Sequence, residues 1–225
     1  MQPRPLTRWF DYATNYGMAQ QREIGGRAAA ELVLRLSRAG LGEGFVEALT
    51  SAQWMALRYF SRANRFSRTV SAFAEFHATT RGTASQTVKG LIGQGYLARI
   101  PSDTDGRSAR VNLTDKAKAL LARDPYDVVV DAAETLPPRL RWQLVQALER
   151  MLNHVARQRS RPSFGMCASC THLRSDEYCR DHRSSYLCSL MSAPLSPEET
   201  EQICISFEPG KTSPVQRISA ERRTQ

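Results

Sequence analysis

Apolar residues recur every three to four positions through the first part of the chain, which is the spacing of one face of an α-helix. This pattern predicts one helix over residues 4–21 and a second over residues 22–39. A third helix is predicted to begin at Thr50 or Ser51, because either hydroxyl can accept a hydrogen bond from the first turn.

Two more helices are predicted shortly afterwards. Ser67–His77 has the apolar spacing of a short helix. Thr79 or Thr80 can cap the next helix, which runs to about Gln94 and ends before Gly95. A short helix, a turn and a second helix therefore follow one another.

The pattern then changes from helical spacing to that of short strands. Tyr96–Pro101 and Ser108–Leu113 are the two predicted strands. Residues 103–107 join them and contain Asp105-Gly106, a strong signal for a tight hairpin turn. The sequence therefore predicts a small β-hairpin directly after the helices.

Helical spacing returns after the hairpin. Thr114 can cap a further helix, and Pro137 and Pro138 suit the first turn of a long last helix. Arg157–Pro162 is a polar linker, and the tail after Gly210 is predicted to be disordered.

The order of these elements is that of a winged helix-turn-helix, and residues 49–121 resemble the MarR family of transcriptional regulators. The motifs that carry the resemblance are Leu49-Thr50 with Gln53, Ala74, Thr83–Val88, Gly95–Arg99, Asp103–Arg107 and Val111–Ala117. Counted with the flanking helices, the likeness covers about residues 22–155. It implies a mainly α fold with a small β-hairpin wing that binds DNA.

The helix after Thr80 has two different faces. Its apolar positions are Ala84, Val88, Leu91 and Ile92, and the opposite side carries Thr83, Gln86, Lys89 and Gly90 with Ser85 at its edge. Gln86 is predicted to read a base, because its amide can pair with adenine N6 and N7 in the major groove. Arg81, Thr83 and Lys89 are predicted to contact phosphate. The alternative is an ordinary solvated helix face.

Three arginines accompany the predicted wing. The resemblance implies that Arg107 at its tip lies in or beside the minor groove, held by Asp103 or Asp105. Arg99 and Arg110 flank it on the two strands. The alternative is a polar hairpin whose arginines only keep it soluble.

Charge and composition agree with a nucleic-acid partner. The 225 residues include 31 Lys and Arg against 22 Asp and Glu, a formal net charge of +9. Such a balance favours a polyanion as the binding partner, with nucleic acid as the first candidate and an anionic membrane as the second. Residues 1–14 lack the apolar core of a signal peptide, and no stretch is long enough to cross a membrane. We therefore expect a cytoplasmic protein, and no catalytic motif predicts an enzyme.

The resemblance also implies a homodimer. Family members pair through N- and C-terminal helices, for which residues 4–39 and 137–158 are the candidates here. A two-fold dimer predicts a pseudo-palindromic operator with half-sites about one helical turn apart. The alternative is that these helices pack only within one chain. Whether a pocket for a small-molecule effector exists is not readable from the sequence.

All five cysteines lie between Cys167 and Cys204, and the first 166 residues contain none. Cysteines clustered in a cytoplasmic protein indicate metal binding or redox chemistry rather than disulfides. Cys167 and Cys170 form a C-x2-C turn, which places two thiolates on one side of a loop. The segment is too small to bury a core of its own, and a bound metal would stabilise it.

Four ligands complete such a site, and the predicted set is Cys167, Cys170, Cys188 and Cys204. Their C-x2-C-x17-C-x15-C spacing is similar to that of high-potential iron–sulfur proteins, which implies a [4Fe–4S] cluster. Zn²⁺ is the alternative, and a metal-free thiol switch comes third. Cys179 is expected to stay outside the site, and His172 and His182 are substitute ligands for a Cys3His zinc site.

The sequence thus predicts five regions: residues 1–48 (dimerisation), 49–121 (winged helix-turn-helix), 122–160 (dimerisation helices), 161–210 (metal-binding) and 211–225 (tail). The predicted function is a transcriptional regulator whose operator binding depends on the cluster, which senses redox state, oxygen, nitric oxide or iron. One alternative is a regulator with a purely structural zinc site. The other is an iron–sulfur protein of electron transfer or assembly that uses the winged helix to bind proteins.

Overall fold

The structure is a computed structural model that describes residues 25–40, 49–101, 109–175 and 186–210. The predicted helix over residues 4–21, the hairpin turn with Arg107, and the tail lie outside the described residues. So do Cys179 and His182.

The described part of the chain is mainly helical, with small antiparallel sheets. Its helices are α1 (Gly26–Gly40), α2 (Ser51–Arg62), α3 (Val70–Phe76), α4 (Arg81–Gly93), α5 (Asp115–Leu121), α6 (Asp127–Glu134), α7 (Pro138–Gln158) and α8 (Pro197–Thr200). Its strands are β1 (Leu97–Pro101), β2 (Ala109–Leu113), β3 (Gly165–Met166), β4 (Leu173–Ser175), β5 (Tyr186–Cys188), β6 (Ala193–Leu195) and β7 (Ile203–Cys204).

Threonine residues cap helices within residues 49–121, which we call the winged region. Thr50 caps α2 and forms a reciprocal pair with Gln53, each side chain bonding the other's backbone N–H. Thr80 caps α4 and Thr114 caps α5, as their positions predict. The predicted helix from Ser67 begins later, at Val70, because Thr69 supplies its cap.

One hydrophobic core joins the helices to the hairpin. Its largest fully buried side chains are Leu49, Leu57, Tyr59, Phe60, Val88, Leu91, Leu97 and Val111. The inner face predicted for α4 is confirmed, since Ala84, Val88 and Leu91 have no exposed surface and Ile92 packs against the same cluster. Gly90 departs from the prediction, because it faces α2. A Cβ there would stand 3.7 Å from Gln53 Nε2.

The residues that flank the hairpin connect it to the end of α4. β1 pairs with β2 in antiparallel register, from Leu97 opposite Leu113 to Pro101 opposite Ala109. Gly95 adopts φ +75°, the left-handed conformation that ends a helix and that glycine adopts without strain. Its carbonyl accepts a 2.8 Å hydrogen bond from the Thr114 hydroxyl, which holds the start of α5 against the turn.

An ion pair anchors the segment after α5 to the winged region. The Arg58 guanidinium of α2 makes two hydrogen bonds to the Asp124 carboxylate, and both side chains are largely buried. The guanidinium also lies over the rings of Trp54 and Tyr126, at 5.5 and 4.9 Å from their centroids. Tyr126 leads directly into α6.

Helices α1 and α7 leave most of their apolar side chains exposed within one chain. α1 approaches α6 at Gly40, where a Cβ would collide with Val129 and Tyr126. The exposed apolar residues are Leu32, Val33, Leu34 and Leu36 on α1 and Leu140, Trp142, Leu144, Val145, Met151, Leu152 and Val155 on α7.

Residues 161–210, which we call the cysteine region, form two small sheets that the sequence pattern did not predict. β3 pairs with β7, and β5 lies between β4 and β6. A second cluster of buried residues contains Cys167, Leu195 and Cys204, with Phe66 of the winged region packed against it. The region therefore completes its core by docking on the winged helix.

Candidate nucleic-acid interface and cysteine site

The outer face of α4 carries a row of accessible polar side chains. Arg81, Thr83, Gln86 and Lys89 are exposed, and Ser85 is half-buried at the edge, as its position on the helix predicts. Because Ala84, Val88 and Leu91 hold the opposite face in the core, these polar groups are presented outwards together. This is the arrangement that a helix needs to enter a major groove.

Hydrogen bonds order both ends of this helix. The Thr83 hydroxyl lies 2.8 Å from the hydroxyl of its cap, Thr80, so part of its hydrogen-bonding capacity is used within the protein. At the other end, Lys116 donates to the Gln94 carbonyl at 2.9 Å and lies over the Tyr96 ring. A cation at this position interacts favourably with the negative end of the helix dipole.

The two described arginines of the wing point to opposite faces of the hairpin. Arg99 lies opposite Val111 and Arg110 opposite Ile100 in the register, and residues opposite one another share a face. Arg99 is exposed and Arg110 is half-buried. The predicted contact through Arg107 falls outside the described residues.

Four cysteines line a single cavity in the C-terminal region. Cys167 and Cys170 come from the turn after β3, Cys188 ends β5, and Cys204 ends β7. The cavity is otherwise lined by Asn64, Phe66, His172, Leu173, Leu190, Met191, Leu195 and Ser206. The fold therefore brings together the four cysteines that the spacing selects, within a mostly apolar lining.

The C-x2-C turn is closed by a hydrogen bond from Cys170 N to Cys167 O at 2.9 Å. Cys167, Cys170 and Cys204 are buried as free thiols, whereas Cys188 is partly exposed. Gly165 lets a ring approach the site, because a Cβ there would lie 2.6 Å from the Phe207 ring.

His172 also lines the cavity. Its Nε2 is buried and lies 3.3 Å from Glu208 Oε2, but it makes no hydrogen bond to the residues that the structure describes. His172 therefore stays an alternative ligand beside the four cysteines.

Two of the thiols interact directly. A hydrogen bond between Cys167 and Cys204 raises the pKa of Cys167, and burial raises it further. The same hydrogen bond lowers the pKa of Cys204 to about 6, with further donation from Asn64, the Ser206 backbone and Ser67. One thiol of the pair is therefore poised to ionise, which is the form that binds a metal.

No three His, Cys, Asp or Glu side chains in residues 25–40, 49–101, 109–175 and 186–210 converge as the ligands of one metal ion would.

The winged region itself forms one wall of this cavity. We call Ala63–Thr69, the chain between α2 and α3, the junction segment. Asn64 Nδ2 lies 3.5 Å from Cys167 Sγ, and Asn64 N donates to Ile203 O at 2.9 Å. Ile205 N donates to the Ser67 hydroxyl at 2.9 Å. Sequence reasoning missed these residues because 103 positions separate Asn64 from Cys167 and no local pattern connects them.

An ion pair reinforces the same contact. Arg65 donates to Glu199 of α8 at 2.9 Å and also to the Pro194 carbonyl. Both lie in the cysteine region, so the junction segment holds that region by charged as well as neutral hydrogen bonds.

The sequence model of the MarR family matches residues 49–108. This segment is therefore similar to the winged helix of the MarR family. The match covers α2 to β1 and ends directly before β2, and so contains α4 with its exposed polar face. Proteins of the MarR family are transcription regulators and not enzymes, which agrees with the absence of a catalytic motif.

Solved structures resemble part of the chain. A MarR family transcriptional regulator from Silicibacter pomeroyi is 24% identical, with a TM-score of 0.50 over 60% of this chain and 96% of that one. A MarR transcriptional regulator from Methanosarcina mazei Go1 is 20% identical, with a TM-score of 0.46 over 57% of this chain and 96% of that one. The MepR–DNA complex of S. aureus is 19% identical, with a TM-score of 0.46 over 56% of this chain and 96% of that one. No curated protein sequence matches the chain.

No helix in the described ranges is both long and apolar enough to span a membrane.

Proposed function

We propose that the chain is a sequence-specific DNA-binding transcriptional regulator whose operator binding responds to a metal centre held by Cys167, Cys170, Cys188 and Cys204. The observation that carries the DNA-binding part is the exposed polar face of α4 on a MarR-type winged helix. The gathering of four distant cysteines around one cavity supports the metal centre.

On DNA, the residues have different roles. Gln86 reads a base in the major groove, and Arg81, Thr83, Ser85 and Lys89 bind the flanking phosphates. Arg99, Arg107 and Arg110 belong to the wing. Arg99 and Arg110 lie on opposite faces of the hairpin.

The regulator acts as a homodimer in this proposal. The exposed apolar residues of α1 and α7 support it, since such contiguous surfaces mark interaction sites. Leu152 is 70% exposed within one chain, so Leu152→Glu should leave the fold intact and shift the protein to a monomer in light scattering. A variant that stays dimeric, like a control change at exposed Arg139, would contradict the role of α7.

The metal centre is proposed to be a [4Fe–4S] cluster. The spacing of the four cysteines and the apolar lining from Leu173, Leu190 and Leu195 support this choice. Such a cluster would add a redox-active group that oxygen, nitric oxide, iron supply or redox poise can change.

A structural Zn²⁺ site is the second candidate, and one contact favours it. With Zn–S bonds of about 2.3 Å in a tetrahedron, two ligand sulfurs stand about 3.8 Å apart. The hydrogen-bonded contact of Cys167 and Cys204 is compatible with such a separation.

Anaerobic purification, an absorption spectrum and assays of iron, sulfide and zinc test the metal. About four irons with matching sulfide per chain are expected for the cluster. Cys188→Ser should lose the metal, whereas Cys179→Ser should keep it. A colourless protein with one zinc would overturn the cluster, and a metal-free protein would overturn the centre.

DNA binding is tested by selecting an operator and measuring its affinity at several salt concentrations. Gln86→Ala should cost about 1–3 kcal/mol and relax the preference at one base position. Lys89→Ala should weaken all sequences alike and reduce the salt slope by about 1. A protein without any sequence-specific binding would overturn this part of the proposal. Equal operator affinity of loaded and metal-free protein would make the metal structural.

A further inference from the structure

The junction segment lies between the cysteine site and the wing. On one side, Ala63 forms a parallel bridge with Ile203. On the other, the Arg68 carbonyl accepts a 2.8 Å hydrogen bond from Val111 N in β2. Arg68 also donates to the Ala63 carbonyl at 2.8 Å, which closes the segment on itself. Seven consecutive residues therefore contact both the region that holds the cysteines and a strand of the wing.

Asn64 is the residue of this segment that reaches the cysteines. It has no exposed surface, its Oδ1 accepts from Phe66 N at 3.2 Å, and its Nδ2 points to Cys167 Sγ at 3.5 Å. A thiol sulfur is a weak acceptor for a buried amide, whereas a thiolate is a strong one. This placement suits a site whose sulfurs are ionised.

Donors around metal-bound thiolates orient the ligands and adjust the properties of the centre. Phe66 and Ser67 complete the wall that the junction segment contributes, one lining the cavity and the other bonding Ile205 N. The DNA-binding domain thus supplies part of the immediate surroundings of the cysteines.

We infer that Asn64 is a positioning residue of the metal centre, and that the junction segment couples the state of the centre to the wing. The inference rests on the proposed metal centre. It adds that the coupling runs through Asn64 and Arg68 to Val111 of β2, and not only along the linker after α7. Loss of metal would release Asn64 from the sulfurs and loosen the contact that holds β2.

Asn64→Ser is the decisive variant. A serine hydroxyl can still accept from Phe66 N, as short polar side chains do in such turns, but is too short to reach Cys167. The probe is the metal that the protein carries after anaerobic purification, released to a chromogenic chelator. Release is expected to be about 10–100-fold faster than in the wild type, the usual effect of losing such a partner. Asn153→Ser on α7 is the matched control and should release metal at the wild-type rate.

Amide hydrogen exchange tests the coupling. In the wild type, removing the metal should lower protection of the Ile205 and Val111 amides, while Leu91 in the core of the winged helix stays protected. The ratio of operator affinities with and without metal should be about 5–150 in the wild type and approach one in Asn64→Ser. Unchanged protection at Val111, or a wild-type affinity ratio in the variant, would overturn the coupling.

These outcomes separate the inference from the proposal beneath it. A wild-type protein without metal defeats the centre itself. A metal-loaded wild type whose Asn64→Ser variant releases metal at the same rate defeats the role of Asn64 and leaves the centre standing. If circular dichroism shows that Asn64→Ser does not fold, Asn64→Gln takes its place, because it keeps the amide but displaces it by one methylene, and the same results are expected.

Discussion

Replacing Ser67 by alanine should weaken the docking of the cysteine region on the winged helix without disturbing either part. Ser67 is fully buried, and its hydroxyl accepts from Ile205 N at 2.9 Å. The backbone of Ser67 makes further hydrogen bonds: the carbonyl accepts from the Tyr59 hydroxyl at 2.7 Å, and the N–H donates to Asn64 O at 2.9 Å. Alanine keeps these backbone contacts and removes only the hydroxyl.

The size of the effect follows from the group that is left behind. A buried N–H that loses its acceptor costs about 1–3 kcal/mol. The undocked population should therefore rise about 5- to 150-fold, since 1.4 kcal/mol is a factor of ten. The hydroxyl also helps to lower the pKa of Cys204, so the thiol should become harder to ionise in the variant.

Amide hydrogen exchange on the metal-free protein measures this change directly, because local opening sets the protection of each amide. The Ile205 amide should lose protection by the factor above, while the Leu97 amide in the winged core stays as in the wild type. Ser61→Ala is the matched control. Its hydroxyl donates only to the Arg58 carbonyl at 2.8 Å, within α2. Equal protection of Ile205 in both variants, or a parallel loss at Leu97, would refute the reasoning.

Three further predictions concern the winged region. Thr80→Ala removes the cap of α4 and should cost about 1 kcal/mol in urea unfolding, and an unchanged midpoint would contradict the cap's role. Asp124→Asn leaves the guanidinium of Arg58 largely buried without its counter-charge and should cost about 3–5 kcal/mol, whereas a loss below 1 kcal/mol, typical of a surface pair, would show the pair to be solvated. Burial lowers the pKa of His77 below its ordinary 6.5, so stability should fall as the pH drops below about 6.5, where the unfolded chain takes up the proton first. His77→Phe should remove this part of the pH dependence, and identical pH profiles would contradict it.

Much of the winged helix could be predicted from the sequence because its signals are local. Thr114 is predicted correctly as a cap, and Thr50 and Thr80 are each one of two predicted candidates, since a cap depends on a hydroxyl placed directly before a helix. The bounds of the two strands of the hairpin are predicted to within one residue at those ends that the structure describes. The short helix is predicted from Ser67 but begins at Val70, because the Ser67 hydroxyl bonds a residue 138 positions later and Thr69 caps α3.

The cysteine site was predicted in part. Spacing selects Cys167, Cys170, Cys188 and Cys204, and the fold places these four around one cavity. The small strands of that region were not predicted, because two- and three-residue strands carry too short an alternation to recognise. The opposite faces of Arg99 and Arg110 follow only from the register of β1 and β2.

By itself, the sequence determined the helices of the winged region and the polar face of α4, because each depends on residue types at short and regular spacings. Only the tertiary structure decided that the cysteine region packs on the chain between α2 and α3. It likewise decided that Asn64 donates to Cys167 and that Arg68 links the same segment to β2. These contacts join residues far apart in the chain, and the burial and hydrogen bonding that select them exist only once both parts have folded.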